Sequence, residues 1–196
     1  MVKTMRFNLE IPWEKYALIA ELIWRFDAQR LTLGKTALQK MIFLLQRALG
    51  FDCDYEYTLY NYGPFCTDVA RDLDIVEGFG GAVIAHDLSG GGYELRPGPA
   101  TDDLRKRGAE FLLQVSDSLD RLVGDYGRAT VKELELRSTI VYVAQPGRSN
   151  EEVVRLVHQV KPHFSEAHIE AARRELDEKG YLGDTIEVPR TLAATN

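Results

Sequence analysis

The sequence predicts an α+β protein that is mostly helical, and three observations lead to this prediction. Apolar residues recur with helical spacing along most of the 196 residues. A short aromatic segment, DYEYTLYNY, has the period-two alternation of a strand and lies between two of these helical patterns. Farther along, two β-type runs, AVIAHDL and YELRP, flank a glycine cluster and predict a hairpin.

The first two predicted helices differ in how much of their surface is apolar. Residues 12–28 carry one apolar face, and Pro12 suits the first turn of a helix. Residues 35–49 are apolar on most sides, and Gly50 is a plausible stop. A helix of this kind is covered on several sides, so we predict that it is the central helix of the core. Its shared face carries Leu38, Met41, Ile42, Leu45 and Leu49.

The aromatic strand is expected to end at Pro64, because proline has no N–H for a ladder and is tolerated in the first turn of a helix. A third helix is therefore predicted from about Pro64 to Glu77. The glycine-rich tip of the following hairpin is Ser89-Gly90-Gly91-Gly92. Helix, helix, strand, helix and hairpin is the order of a winged-helix domain.

The segment Pro97-Gly98-Pro99 is the predicted domain boundary. It divides the chain into a winged-helix-like domain at 1–97, a long connecting helix at 98–128 and a C-terminal helical unit at 129–196. A faint similarity between residues 71–84 and the later stretch RELDEKGYLGDTIEV leaves a second winged-helix-like unit as the alternative for the C-terminal part.

Helix starts in this C-terminal unit are predicted by capping residues. Thr130 with Glu133 and Ser149 with Glu152 have the spacing of a capping box. Ser165 is predicted to cap a last helix, which Gly180 ends. The run YLGDTIEV after Gly180 has the composition of a strand.

Two motifs resemble those of known families. The segments LQKMIFLLQ and LYNYGPFCTDVARDL resemble the uncharacterised YwgA-like family and, more distantly, the Panacea (SocA-like) antitoxin domain. The shared LQK and YGP motifs are Leu38, Gln39 and Lys40, and Tyr62, Gly63 and Pro64. The resemblance covers roughly residues 35–80, implies a winged-helix-like module and supplies no catalytic residues.

Composition narrows the class of protein. No apolar run approaches the ~18 residues of a membrane span, and the first residues lack the apolar core of a signal peptide. The two cysteines form no C-x-x-C motif and are too few for a disulfide framework. We expect a cytoplasmic protein with reduced thiols and no membrane association.

Motifs for catalysis or cofactor binding are weak in this sequence. Gly34-Lys35-Thr36 lacks the earlier glycine and the preceding strand of a phosphate-binding loop. His158, His163 and His168 are not spaced as metal ligands on one helix face, and Cys66 is best interpreted as structural. The prediction is a protein that is not an enzyme and uses no cofactor and no metal.

The favoured function is a regulatory or interaction module, antitoxin-like in character, that binds a partner protein. The predicted third helix is acidic, and phosphate contacts supply much of the affinity for DNA, so this helix is expected to repel DNA. An exposed aromatic edge would suit a protein partner. The candidate binding residues are Tyr60, Tyr62, Asp68 and Asp72.

The alternative function is a winged-helix transcriptional regulator that binds DNA. The net charge of the chain is −6, yet its first fifty residues hold eight basic and four acidic side chains. DNA would be bound by this basic 25–47 face, with Arg25, Arg30, Lys35, Lys40 and Arg47 as candidates. A solvated polar face is the simpler interpretation of these charges.

A homodimer is also expected, through residues 101–123. This predicted helix carries a wide apolar stripe, including Leu112, Val115, Leu119 and Leu122. One chain alone is expected to leave part of the stripe uncovered.

Overall fold

The computed structural model of the protein describes residues 11–86 and 92–183. Within these ranges the chain forms eight α-helices and two small antiparallel sheets, which confirms the mostly helical α+β class. None of the described helices is both long and apolar enough to cross a membrane. The predicted hairpin tip at 89–91 and the predicted final strand from residue 184 onward lie outside the described residues.

The elements follow one another in this order: α1 Trp13–Ala28, α2 Lys35–Arg47, β1 Thr58–Tyr60, β2 Gly63–Phe65, α3 Thr67–Gly78, β3 Ala82–His86, β4 Tyr93–Pro97, α4 Thr101–Arg107, α5 Ala109–Tyr126, α6 Val131–Val143, α7 Asn150–Val160 and α8 Glu166–Glu178.

Helix α2 is the centre of the core, as its apolar surface predicts. Every residue from Ala37 to Leu45 is buried, and α2 packs against α3, α5, α6, β2 and β4. One cluster of buried apolar side chains extends from Tyr16 in α1 to Tyr181 after α8. This cluster includes residues on both sides of Pro97-Gly98-Pro99, and the division into domains stays a prediction.

The aromatic segment forms a shorter strand than predicted, and this strand is the first of a hairpin. β1 pairs antiparallel with β2, with Tyr60 opposite Gly63 and Leu59 opposite Pro64. The prediction that a helix begins at Pro64 is wrong, because α3 begins at Thr67. In an antiparallel ladder, hydrogen-bonded and non-hydrogen-bonded residue pairs alternate. Pro64 lies in a non-hydrogen-bonded pair, one step beyond the two-residue turn. Its missing N–H therefore removes no hydrogen bond from the ladder.

The second hairpin is tied to the link between the first two helices. β3 pairs antiparallel with β4, with Ile84 opposite Leu95. Leu33, in the link, forms an isolated antiparallel bridge with Leu95, whose N–H donates to the Leu33 carbonyl at 2.8 Å. The link therefore runs beside β4 and pairs with it at one residue.

The predicted connecting helix is in fact two helices, α4 and α5, which meet at Gly108. A Cβ at Gly108 would collide with the Cβ of Ala17, so glycine allows α1 to approach closely here. Most of the apolar stripe is covered within the chain, because Val115, Leu119 and Leu122 are buried. Leu112 is only partly buried and Leu113 is exposed, so part of the apolar surface of this helix is uncovered, and the homodimer through residues 101–123 stays a prediction.

The predicted helix caps of the C-terminal part are confirmed. Thr130 and Glu133 form a reciprocal capping box at the start of α6. The Ser149 and Ser165 hydroxyls accept hydrogen bonds from backbone N–H groups of the first turns of α7 and α8. Gly180 follows α8 with a φ of +67°, a left-handed conformation that suits a glycine helix stop.

Truncating Leu45 tests the packing around α2. Leu45 is fully buried, so Leu45→Ala is expected to lower the free energy of unfolding by about 2–5 kcal/mol. Chemical denaturation measures this loss, and Val160→Ala at an exposed position is the control. A loss below about 1 kcal/mol for Leu45→Ala would show that the helix is not packed as described.

Candidate binding cleft

A cleft of about 350 Å³ opens between α2, the β1–β2 hairpin and α3. Leu38, Val69 and Leu73 line it with apolar surface, and Lys35 and Asp74 supply charges. The volume lies within the roughly 300–1,000 Å³ range of ligand-sized pockets. The cleft can therefore hold one or two apolar side chains of a partner or a small ligand.

Aromatic side chains of the hairpin stand at this cleft. Tyr60 is 66% exposed and Tyr62 is 69% exposed, as expected for a binding surface. Phe65 is also exposed, and its ring centroid lies 5.9 Å from that of Tyr60. The sequence analysis did not single out Phe65, because a helix was expected from Pro64 and the cross-strand position of Phe65 was not visible.

Two glutamines of α2 hold the extended segment that leads into and out of the hairpin. Gln39 Nε2 donates to the Cys66 carbonyl at 2.9 Å, and the Cys66 N–H donates to Gln39 Oε1 at 3.1 Å. Gln46 makes the same two-way contact with the Tyr55 backbone, at 2.8 and 3.2 Å. Seven residues separate the two glutamines, so they lie on one face of the helix.

Lys40 is buried beneath the hairpin. Its side chain is 2% exposed, and Nζ donates to the Pro64 carbonyl at 2.6 Å. Burial lowers the pKa of Lys40 to about 8; Glu135 opposes this shift and Lys161 adds to it. The expectation that Lys40 lies on a solvated face is wrong, and its ammonium group is not placed to meet a DNA phosphate.

A second lysine holds the other end of the hairpin turn. Lys161 Nζ donates to the Asn61 carbonyl and also to Glu135 Oε1, the latter at 2.7 Å. Both Lys161 and Glu135 are buried. The turn is thus fixed at two carbonyl groups by ammonium groups, one from α2 and one from the residue after α7.

Gly63 brings the turn against α6. Its φ is +86°, and an added Cβ would lie 3.1 Å from Thr139 Oγ1 and 3.2 Å from Ser138 Oγ. Both the left-handed backbone and the lack of space favour glycine here. The hairpin is therefore seated on α6 as well as on α2.

The two acidic candidates have different surroundings. Asp72 is buried and accepts a hydrogen bond from the Tyr55 hydroxyl at 2.9 Å. Burial raises the pKa of Asp72, and the Tyr55 hydrogen bond and nearby Lys15 oppose that shift. The expectation of a surface role for Asp72 is therefore wrong. Asp68 is half-exposed and pairs with Arg71 at 3.0 Å.

The basic candidates do not form one exposed group. Arg25 is mostly buried and is held by Glu21, Ser116 and Asp120. Lys35 is partly exposed, with Nζ 3.9 Å from Asp74 and 4.7 Å from the Tyr93 ring centroid. The other two are more accessible, since Arg30 is exposed and Arg47 is half-buried.

The predicted lack of a metal site can be compared with the surroundings of the histidines and cysteines. His158 Nδ1 is hydrogen-bonded with the Phe164 carbonyl at 2.8 Å. Cys53 and Cys66 are both buried as free thiols. Within residues 11–86 and 92–183, no group of three or more His, Cys, Asp or Glu side chains is placed to hold a metal ion.

Replacing Lys40 tests its buried environment through pH. The lowered pKa means that, between pH 8 and 10.5, the unfolded chain binds more protons at this residue than the folded protein. The Lys40 contribution to the free energy of unfolding should therefore rise with pH across this window. The free energy of unfolding of the wild type, relative to that of Lys40→Met, should increase by at most about 3 kcal/mol from the lower to the upper end of this pH window.

Urea denaturation at several pH values measures this difference. The matched variant is Lys132→Met, which removes an exposed lysine. Parallel pH profiles for the wild type and Lys40→Met would contradict the buried position of the ammonium group.

The LQK and YGP motifs contact each other directly in this cleft, through the Lys40–Pro64 hydrogen bond. Their resemblance to the YwgA-like and Panacea families stays a prediction. The chain matches no protein-family model, and no curated protein matches its sequence.

Proposed function

We propose that the protein is a regulatory interaction module that binds a segment of a partner protein in the cleft. The observation that carries this proposal is the exposure of Tyr60, Tyr62 and Phe65 beside an apolar cleft. Aromatic residues are enriched in the buried core of protein interfaces, and adjoining exposed apolar side chains are typical of a binding surface.

The fixed geometry of the hairpin supports this function. Four hydrogen bonds between the backbone of residues 61–66 and the side chains of Gln39, Lys40 and Lys161 hold this segment in place. A surface that is already ordered loses less conformational entropy when a partner binds. The aromatic side chains thus offer contact area at a small ordering cost.

Charge defines the chemistry of the partner segment. The surface around the cleft carries Asp74 and Glu77 as exposed carboxylates and Asp68 as a half-exposed one, against the basic Arg71 and Lys35. Glu56, Asp52 and Asp54 add exposed negative charge on the segment before the hairpin. We infer a partner segment with an apolar anchor for the cleft and basic residues beside it.

A winged-helix-like arrangement of the N-terminal part belongs to the same proposal. The order of α1, α2, α3, β3 and β4 supports it, as does the Leu33–Leu95 bridge, which lies where the first strand of such a domain pairs. In this interpretation α3 has the position of a recognition helix but carries an acidic surface. The antitoxin-like role rests on the sequence resemblance and is part of the proposal.

Peptide selection tests the proposed partner chemistry. Peptides selected from a random displayed library against the wild-type protein should share an apolar anchor flanked by Lys or Arg. Fluorescence anisotropy with synthetic versions should show at least tenfold weaker binding to a Tyr60→Ala, Tyr62→Ala double variant, because exposed aromatic anchors dominate such interfaces. Asp74→Lys should weaken binding through like-charge repulsion.

Val131→Ala serves as the control, because it removes an exposed apolar side chain of α6 outside the cleft lining. Selected peptides that bind the double variant and the wild type equally would refute the cleft as the binding site.

DNA binding is the second candidate, and the element order with the Leu33–Leu95 bridge is the observation that favours it. Of the predicted basic face, Arg30, Lys35 and Arg47 remain available, since Arg25 and Lys40 are taken up by internal contacts. A DNA complex would therefore have few phosphate contacts and would weaken steeply with salt.

We expect no sequence-specific duplex binding at physiological salt. An anisotropy titration with DNA from the upstream region of the native gene, against a scrambled duplex, measures this. Submicromolar binding that prefers the upstream DNA and is lost when Arg30, Lys35 and Arg47 are all changed to Glu would favour the DNA-binding function instead.

A further inference from the structure

The outer edge of β1 is open in the part of the chain that the structure describes. β1 belongs to a two-stranded sheet and pairs with β2 on one side only. β2 also packs against α2 and α6, whereas the main neighbour of β1 is β2. Thr58 and Tyr60 are exposed, and Leu59 is half-buried. An edge of this kind presents backbone groups with which another extended chain can pair.

The register of the hairpin defines which backbone groups of β1 face outward. Tyr60 and Gly63 flank the two-residue turn as a hydrogen-bonded pair. Leu59 and Pro64 form the next pair, which is not hydrogen-bonded. The N–H and the carbonyl group of Leu59 therefore both point away from β2, towards the outer edge.

The opposite edge of the hairpin is occupied by side chains of α2. Lys40 Nζ donates to the Pro64 carbonyl at 2.6 Å, and the Gln39 amide pairs with the Cys66 backbone. β1, in contrast, contains neither lysine nor proline, the residues that commonly protect an edge strand from pairing. A further strand can therefore be added to this hairpin at β1 and not at β2.

We propose that the partner segment binds as an extended strand along the outer edge of β1. This inference rests on the proposed function and adds how the segment is held. β1 has three residues, so the added strand forms few backbone hydrogen bonds, and side chains in the cleft must supply the rest of the contact. Tyr60 belongs to β1 and also lines the cleft, so one segment can contact both.

Charge along the edge favours a basic partner segment over a second copy of the chain. Exposed residues alternate with more buried ones between 55 and 60, so Glu56 lies on the same face as Tyr60. Among the described residues, Asp54 is paired with Lys15 at 3.0 Å, whereas Glu56 is exposed and has no ion-pair partner. The stretch 51–60 holds three acidic and no basic side chains, so two β1 edges would bring like charges together. A Lys or Arg opposite Glu56 is attracted instead.

A change of the Leu59 backbone tests the strand pairing. The probe is the fluorescein-labelled peptide that binds the wild type most tightly after the library selection described above. Leu59→Pro removes the outward N–H and no ladder bond, whereas Leu59→Ala keeps this N–H and shortens the same side chain. Leu59→Pro should bind the peptide at least tenfold more weakly than Leu59→Ala does. Circular dichroism establishes that both variants are folded.

Methylation of the peptide backbone is a second test, which uses only the wild-type protein. An N-methyl group removes one N–H, and the N–H groups of successive residues in a strand point to opposite edges. N-methylation should therefore lower the affinity at least tenfold at alternate positions of the bound stretch and much less at the positions between them. Equal effects at all of these positions would overturn the strand pairing.

The outcomes distinguish this inference from the proposed function. Binding that is lost in the Tyr60→Ala, Tyr62→Ala variant but is insensitive to Leu59→Pro and to N-methylation would retain the cleft as the binding site and refute the strand pairing. If no selected peptide depends on the two tyrosines, the proposed function and this inference both fail. A wild type that dimerises in sedimentation velocity, with Leu59→Pro remaining monomeric, would assign the edge to a second copy and overturn the proposal.

Discussion

The cleft depends on one constraint: the backbone of residues 55–66 must find hydrogen-bond partners. This segment is extended, lies against an apolar helix and has only a short hairpin to pair its own backbone. Buried N–H and carbonyl groups are destabilising unless they are paired. Gln39 and Gln46 supply both a donor and an acceptor, so each takes the place of a neighbouring strand. The position of the aromatic side chains follows from these contacts.

The buried charges below the turn extend this arrangement into the C-terminal half of the chain. Lys40 comes from α2, Glu135 from α6 and Lys161 from the segment after α7. Burying a charge is costly unless an opposite charge and hydrogen bonds accompany it, and here Glu135 with the carbonyl groups of the turn serves both lysines. The hairpin is therefore supported by residues from distant parts of the sequence.

Local patterns in the sequence predict the helices well, and long-range pairing explains the failures. The central helix and the Thr130, Ser149 and Ser165 caps depend on nearby residues and agree with the structure. A helical pattern predicts Lys40 and Arg25 as surface charges. Lys40 is instead held by the Pro64 carbonyl, 24 residues away, and Arg25 by Asp120, 95 residues away, as well as by the nearby Glu21. No spacing rule identifies such partners, and the same holds for Lys161. For the cleft, the sequence predicts Tyr60 and Tyr62 at the surface but not the recess beside them.

The close contact between Gly63 and α6 limits which substitutions related chains can accept. A side chain at position 63 would need both a left-handed backbone and the space that Ser138 and Thr139 now occupy. A change at any one of these positions therefore alters what the other two can tolerate. Among homologous sequences, we expect positions 63, 138 and 139 to covary, although they are far apart along the chain.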